Sequence, residues 1–472
     1  MKKLTFTIHS TSRSLAWAFC IVAVVLFVSV SVLPWAANAQ TTATRVVGYY
    51  PAWVIDMAPA DTIDFTTVTN VVYAFVWPET DGSLSGNTPL ADPALMAVAH
   101  EAGRPVSIAV GGGGQSAGFP AVTADEDTRA QFIANLFDFC DLHGYDGIDF
   151  DWESPVSQEE RDNYASLVKD VRAEADRRDR PMLISMAISA ASWASWGNDV
   201  ADLAGTVDWF FMMGYDYSGP WTPYSGHNAP LHPRMDLGYW LSVTRSIDYL
   251  ITTRKLPPSS IVVGMPFYGR RFQATDIYRT ATGGDALRYN QITPLVDQGG
   301  WVEHWDGVAL VPYLINNAGT EVIVYDNAFS IELKSRYVLD YGLGGVGVWA
   351  LGYDVVADGQ PLMDAVALVM SDGVFVADRT DGMRPQAPTL GAPYPNPFNA
   401  VTSIPFNLPH GTRVKITVYT ILGQKAAELF DGFLGAGNHT VTWVAGDMPS
   451  GVYIVGVETD GYRMTEKTTL MK

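Results

Sequence analysis

Residues 146–153 read Asp-Gly-Ile-Asp-Phe-Asp-Trp-Glu, a stretch in which half of the side chains are carboxylates. Asp149, Asp151 and Glu153 recur at every second position, so on a strand they fall on one face, with Ile148, Phe150 and Trp152 between them. Neighbouring carboxylates in an apolar setting repel one another; they cannot all ionise, and at least one keeps a proton near neutral pH. A carboxylic acid held protonated there is equipped for general acid chemistry. A solvated acidic run would lack the apolar interleaving. A calcium loop would need an irregular turn with glycine at a set place.

Such a strand needs neighbours to bury it. Short apolar runs at 45–50, 68–76, 106–110, 147–152, 182–188, 209–215, 261–267 and 345–350 read as strands, and the stretches 93–102, 128–143, 158–178, 237–255 and 330–341 have helical periodicity. This alternation predicts an α/β chain closed into a (β/α)8 TIM barrel. The rival is an open doubly wound sheet, but Gly48-Tyr49-Tyr50-Pro51 after the first strand is no glycine-rich phosphate loop. The long gap between strand 7 and helix 7 predicts a small α+β insertion at about 270–325, rising from the face where βα loops build active sites. Residues 371–392 are rich in turn formers and read as a linker. In 393–472, apolar and polar residues alternate, as in Val414, Ile416 and Val418, which predicts a separate small β-sandwich.

Composition narrows the partners. Lys and Arg number 30 against 50 Asp and Glu, a net charge of −20, so there is no basic excess to neutralise phosphates and nucleic acid is excluded as a partner. Residues 1–39 have the order of a secretory signal peptide: Lys2, Lys3 and Arg13, an apolar run over 15–33, then Ala37-Asn38-Ala39, with a membrane anchor as the alternative. Cys20 lies in that segment and Cys140 in a helical stretch, so the mature chain has no pair for a disulfide, and Cys140 reads as a packing residue.

Residues 45–370 resemble the chitinases of glycoside hydrolase family 18, whose signature Asp-x-x-Asp-x-Asp-x-Glu runs in full from Asp146 to Glu153. Further family-like blocks follow in order: Val47-Gly48-Tyr49-Tyr50, Tyr73-Ala74-Phe75, Met213-Gly214-Tyr215-Asp216, Gly264-Met265-Pro266-Phe267-Tyr268-Gly269-Arg270 and Gly345-Val346-Gly347-Val348-Trp349. The resemblance implies retaining hydrolysis of chitin and chitooligosaccharides, the substrate's acetamido group serving as nucleophile, with no metal or cofactor. It implies Glu153 as general acid/base, Asp151 turned to the acetamido N–H, Asp149 sharing a proton with Asp151, and the Tyr215 hydroxyl on the acetamido oxygen. Asp216 and Met213 would bind the sugar, Trp349 would be its apolar floor, and Tyr49 and Phe75 would support the site. Trp221, with Trp53, Trp77, Trp193 and Trp196, is a candidate for stacking along the cleft, while Asp146 and Gly147 complete the motif.

One place departs from the family pattern. Its Ser-x-Gly-Gly on the third strand is Ala109-Val110-Gly111-Gly112 here, so the hydroxyl that holds the lower acids is absent, or Ser107 supplies it from the same strand face. Two alternative functions share the barrel: an endo-β-N-acetylglucosaminidase acting on N-glycans, and a non-catalytic chitin-binding lectin, which would normally lack Glu153. In the C-terminal module, Tyr394-Pro395-Asn396-Pro397-Phe398-Asn399, the block 418–424, Pro449-Ser450-Gly451-Val452-Tyr453 and Lys472 resemble a type IX secretion sorting domain. That resemblance implies an immunoglobulin-like sandwich, the secretion machinery as partner, and export through a bacterial periplasm to the surface or medium. A monomer is expected.

Overall fold

Short runs of β-branched and aromatic residues form the barrel strands, because they suit a pleated surface buried on both sides. These are β1 (Arg45–Pro51), β2 (Asn70–Pro78) with a short antiparallel β3 (Leu84–Gly86), β4 (Val106–Gly111), β5 (Gly147–Asp151), β6 (Leu183–Ser189), β7 (Trp209–Met213) and β8 (Ile261–Pro266). The chain then leaves the barrel for a five-stranded antiparallel sheet: β9 (Tyr268–Gln273), β10 (Thr282–Arg288), β11 (Trp301–Asp306), β12 (Val311–Asn316) and β13 (Glu321–Val324), in the order β10-β9-β13-β12-β11. It returns as β14 (Gly345–Trp349), which pairs in parallel with β8 and β1, and β1 pairs with β2. The parallel strands thus close in the order β1-β14-β8-β7-β6-β5-β4-β2, a TIM barrel with its insertion between strand 7 and helix 7. The computed structural model describes residues 44–472 except 154, 191–198, 358, 376–387, 409–411, 422–423, 435–436, 447, 460–461 and 472. The expected signal peptide, Trp193, Trp196 and Lys472 lie outside the described residues.

The helices are α1 (Pro93–Glu101), α2 (Phe119–Ala124), α3 (Glu126–His143), α4 (Gln158–Ala175), α5 (Asp199–Asp202), α6 (Val243–Asp248), α7 (Tyr289–Asp297) in the insertion, α8 (Ala328–Asp340) and α9 (Pro361–Phe375). Their ends follow capping chemistry. Asp125 accepts from Thr128 N at the start of α3, and Gly144 at φ 82° ends it; Ser157 and Glu160 form a capping box on α4. The helix expected at 237–255 is shorter. Gly238, left-handed at φ 82°, ends a short 3-10 turn at Met235–Leu237, and Ser242 caps a helix that starts at Val243 and runs on as a π-helical turn over Tyr249–Thr253.

Two cores result. Val47, Val72, Ala109, Ala187, Trp209, Phe211 and Val262 fill the inside of the barrel. The alternate strand residues, such as Val46, Val71, Ile108, Ile148 and Phe210, pack outward with the helices, joined by Leu136 and the buried free Cys140. The inner core fits because glycines make room: a Cβ on Gly264 would sit 2.6 Å from Phe211 Cζ. In the C-terminal region, β15 (Thr389–Leu390), β16 (Val401–Leu408) and β19 (Gly437–Val444) form one sheet, and β17 (Thr412–Thr420), β18 (Lys425–Leu434), β20 (Gly451–Thr459) and β21 (Tyr462–Leu470) the other. Ile404 and Phe406 of the first share a core with Val414, Ile416, Val455 and Val457 of the second, which makes a β-sandwich.

Candidate active site

The chemistry-bearing side chains emerge from the C-terminal ends of the barrel strands into a cleft of about 660 Å³. β5 stops at Asp151, so Asp149 and Asp151 project from a strand, whereas Glu153 stands on the loop two residues beyond it. Asp149 is fully buried; it accepts a 2.7 Å hydrogen bond from the Tyr49 hydroxyl on Oδ2 and a 2.5 Å one from the Ser185 hydroxyl on Oδ1. Asp151 is 5% exposed and lines the cleft, with its Oδ1 buried and without a hydrogen-bond partner. Glu153 reaches open space, its carboxylate beside Gly113, where a Cβ would lie 3.6 Å from Oε2.

Burial raises all three acids, and charge repulsion adds to it at Asp151 and Glu153. Burial pushes Asp149 up to about 6 against the opposing pull of its two hydrogen bonds. Asp151 lies well above the ordinary carboxylate range, first through burial and then through the charges of Glu153 and Asp149. Glu153 is raised by burial and next by the charge of Asp216. Removing that charge has a signed consequence: with Asp216→Asn, the Glu153 carboxylate is less repelled, so its pKa falls. A carboxyl-carbon NMR titration of Glu153 in both proteins measures this, and an unmoved midpoint would show that the charge of Asp216 is not felt.

Asp216 itself is held in a strained setting. Its backbone is left-handed at φ 61°, which a non-glycine residue adopts where its surroundings hold it. They do so here: Oδ1 accepts from the Tyr268 hydroxyl at 2.5 Å and from Arg270 Nε and Nη2 at 2.9 and 2.6 Å. Tyr268 and Arg270 lie on β9, so the insertion begins two residues before the expected 270 and supplies the clamp. Arg270 also lies 4.7 Å from the ring centroid of Trp221, an exposed wall of the cleft. Tyr215 lines the cleft between Phe211 and Tyr268, and burial raises its hydroxyl far enough that it keeps its proton.

Aromatic rings make the floor. Trp349 is 5.7 Å from Tyr49, 5.6 Å from Phe75 and 6.2 Å from Trp53, and Met213 closes the same space. Trp77 is not among the cleft-lining residues; it packs, partly buried, on the barrel's inner core. Asp146 and Gly147 are remote from the chemistry. Asp146 sits at the opening of β5, paired with His100 at 2.8 Å and accepting from Val106 N at 2.9 Å. Gly147 is glycine because a Cβ would come within 2.8 Å of Leu183.

The model of the glycosyl hydrolases family 18 matches residues 45–354. The chain belongs to that family. A second model, of the secretion system C-terminal sorting domain, matches residues 392–471. Chitinase A1 of Niallia circulans is 29% identical over 397 residues, covering 66% of this chain and 56% of its own. Probable chitinase 2 of Drosophila melanogaster is 31% identical, covering 53% and 56%. The chain spans about half the length of the curated relatives it matches. The crystal structure of Ostrinia furnacalis group IV chitinase in complex with allosamidin has a TM-score of 0.64 at 26% identity, covering 70% of this chain and 99% of that one.

Against the family 18 pattern, the open question was the serine missing from the third strand. Ala109 stands in register with Asp149 on one side, but on the other side Asp149 pairs with Ser185 of β6, and that hydroxyl makes the bond. Ser107 pairs with Gly147, one inward layer below, and is not the donor on Asp149. Ser185 was therefore missed by reading along β4 alone. The signal was a hydroxyl enclosed by apolar residues in Leu183–Ser189, two residues from the strand's start, just as Asp149 is in β5. Tyr268 and Arg270 stand in a family-like block that gives them no role along the chain, since nothing local ties them to Asp216.

Proposed function

We propose that the chain is a retaining glycosidase that cleaves β-1,4-linked N-acetylglucosamine polymers, with Glu153 as general acid/base and the substrate's acetamido group as nucleophile. The observation that carries this reading is a raised, solvent-reaching acid directly beside a buried carboxylate with an unpartnered oxygen, over an aromatic floor. The names of the relatives, a chitinase of the bacterium Niallia circulans, a probable chitinase of Drosophila melanogaster and an endochitinase of Manduca sexta, point to the same substrate class.

Glu153 gives its proton to the glycosidic oxygen as the C1–O bond breaks, and the acetamido carbonyl oxygen closes on C1 to give an oxazolinium ion. Asp151 accepts from the acetamido N–H through its free oxygen and balances the positive charge, while Asp149, held by Tyr49 and Ser185, shares the remaining proton. The Tyr215 hydroxyl donates to the acetamido oxygen, Asp216 and Met213 position the ring, and Trp349 supports its apolar face. Water then attacks C1, Glu153 takes its proton, and the C1–acetamido bond opens with overall retention.

The sandwich acts as the export tag: the leader carries the chain into the periplasm, and residues 392–471 direct it to the cell surface or medium. One experiment tests both halves, assaying soluble chitooligosaccharides and an N-glycoprotein in medium, surface and periplasm for the full chain and one ending at residue 370. Chitooligosaccharide cleavage by both forms is expected, with the truncated form retained in the periplasm. Undiminished export after truncation overturns the sorting role; release from the glycoprotein alone overturns the substrate.

A further inference from the structure

A second cavity, of about 260 Å³, shares Tyr217 with the cleft and is otherwise lined mainly by later residues of the loop that follows β7, from Ser218 to Leu241. Its walls are aromatic: the Tyr239 ring lies 4.8 Å from Tyr224 and 4.4 Å from Tyr278, and Trp240 at the rim is 55% exposed. Trp221, on the same loop, faces the catalytic cleft and is similarly exposed. The loop thus offers an exposed tryptophan to each of the two cavities.

The cup is rigid from behind. Tyr278 has a left-handed backbone at φ 61° and donates to Asp306 Oδ2 at 3.1 Å. The same oxygen accepts from Arg234 Nη1 at 2.7 Å and lies 3.2 Å from His227 Nε2. Arg234 spends its other nitrogens on Asp236, so its charge is already answered on both sides. A non-glycine residue keeps such a backbone where the surroundings impose it, and such places cluster at binding sites.

These features select a ligand. With Arg234 and Asp306 engaged with each other, no uncompensated charge in the wall calls for an ion. Aromatic faces with hydroxyl groups at their edges suit the apolar face and peripheral hydroxyls of a pyranose. The volume falls below the roughly 300–1,000 Å³ of pockets for larger organic ligands, which matches one ring.

We propose that this cavity is a distal sugar-binding site, in which Tyr239 and Trp240 hold one N-acetylglucosamine unit of a chain whose reacting part occupies the cleft. The site rests on the activity proposed above. It makes the enzyme favour chains long enough to reach from the cleft past Tyr217.

The test compares kcat/KM on the trimer and the hexamer of N-acetylglucosamine for the full chain and for Trp240→Ala, Tyr239→Ala and Trp240→Phe. Losing a stacking platform is expected to reduce the hexamer-to-trimer ratio by roughly tenfold in either alanine variant, mainly through KM, with Trp240→Phe restoring most of it. A ratio equal to wild type in both alanine variants overturns the site, and so does an equal loss on both substrates, which is what damage to the fold produces. The two proposals fail differently: a wild type that cleaves neither oligomer defeats the activity and the site together, whereas wild-type cleavage with an unaltered ratio in the variants defeats the site alone.

Discussion

Glu153→Gln is expected to lower kcat by about three orders of magnitude, within the range that a positioned general acid contributes. The amide has the shape of the carboxyl group and fits the same space beside Gly113, but it has no proton to give the leaving oxygen. Binding should survive. The aromatic floor of Trp349, Phe75 and Trp53 is untouched, and the clamp on Asp216 does not involve Glu153. The change also removes one of the charges that raise Asp151, so Asp151 should titrate lower in the variant. Steady-state rates on chitotriose, with calorimetric binding of the same sugar, measure both effects. Turnover close to wild type would remove Glu153 from the acid role.

The second large effect lies in the substrate. An oligomer whose sugar at the cleavage point lacks its acetyl group should be hydrolysed at least about a thousandfold more slowly, because the nucleophile has been taken away. The carboxylates offer no replacement. Asp149 is sealed beneath the cleft by Tyr49 and Ser185, and Asp216 is held through Oδ1 by three donors from Tyr268 and Arg270. Asp151 remains, and its raised pKa suits it to share a proton and accept an N–H rather than to attack carbon as a free carboxylate. A thiazoline analogue of the cyclic intermediate should inhibit tightly for the same reason. Efficient cleavage beside a deacetylated sugar, or a covalent glycosyl adduct seen by mass spectrometry, would transfer the nucleophile to the protein.

The β-strand period of two and the helical period are properties of the local backbone, so the sequence by itself determined the alternation of strands and helices, the inward set Asp149 and Asp151, and the β-sandwich after the barrel. It also determined that those acids would be raised, because apolar residues on either side ensure their burial. The helix expected at 237–255 starts late, at Val243, because backbone conformation overrode composition at left-handed Gly238 and the cap at Ser242. What only the tertiary structure decided is which residues meet across strands. Ser185 reaches Asp149 because closure of the barrel sets the register of β6 against β5, and the pair stands 36 positions apart in the chain. Tyr268 and Arg270 reach Asp216 across more than fifty positions because β9, the first strand of the insertion sheet, carries both side chains to it. Such contacts depend on strand stagger and loop path, which are set by the packing of the whole barrel and leave no periodic trace along the chain.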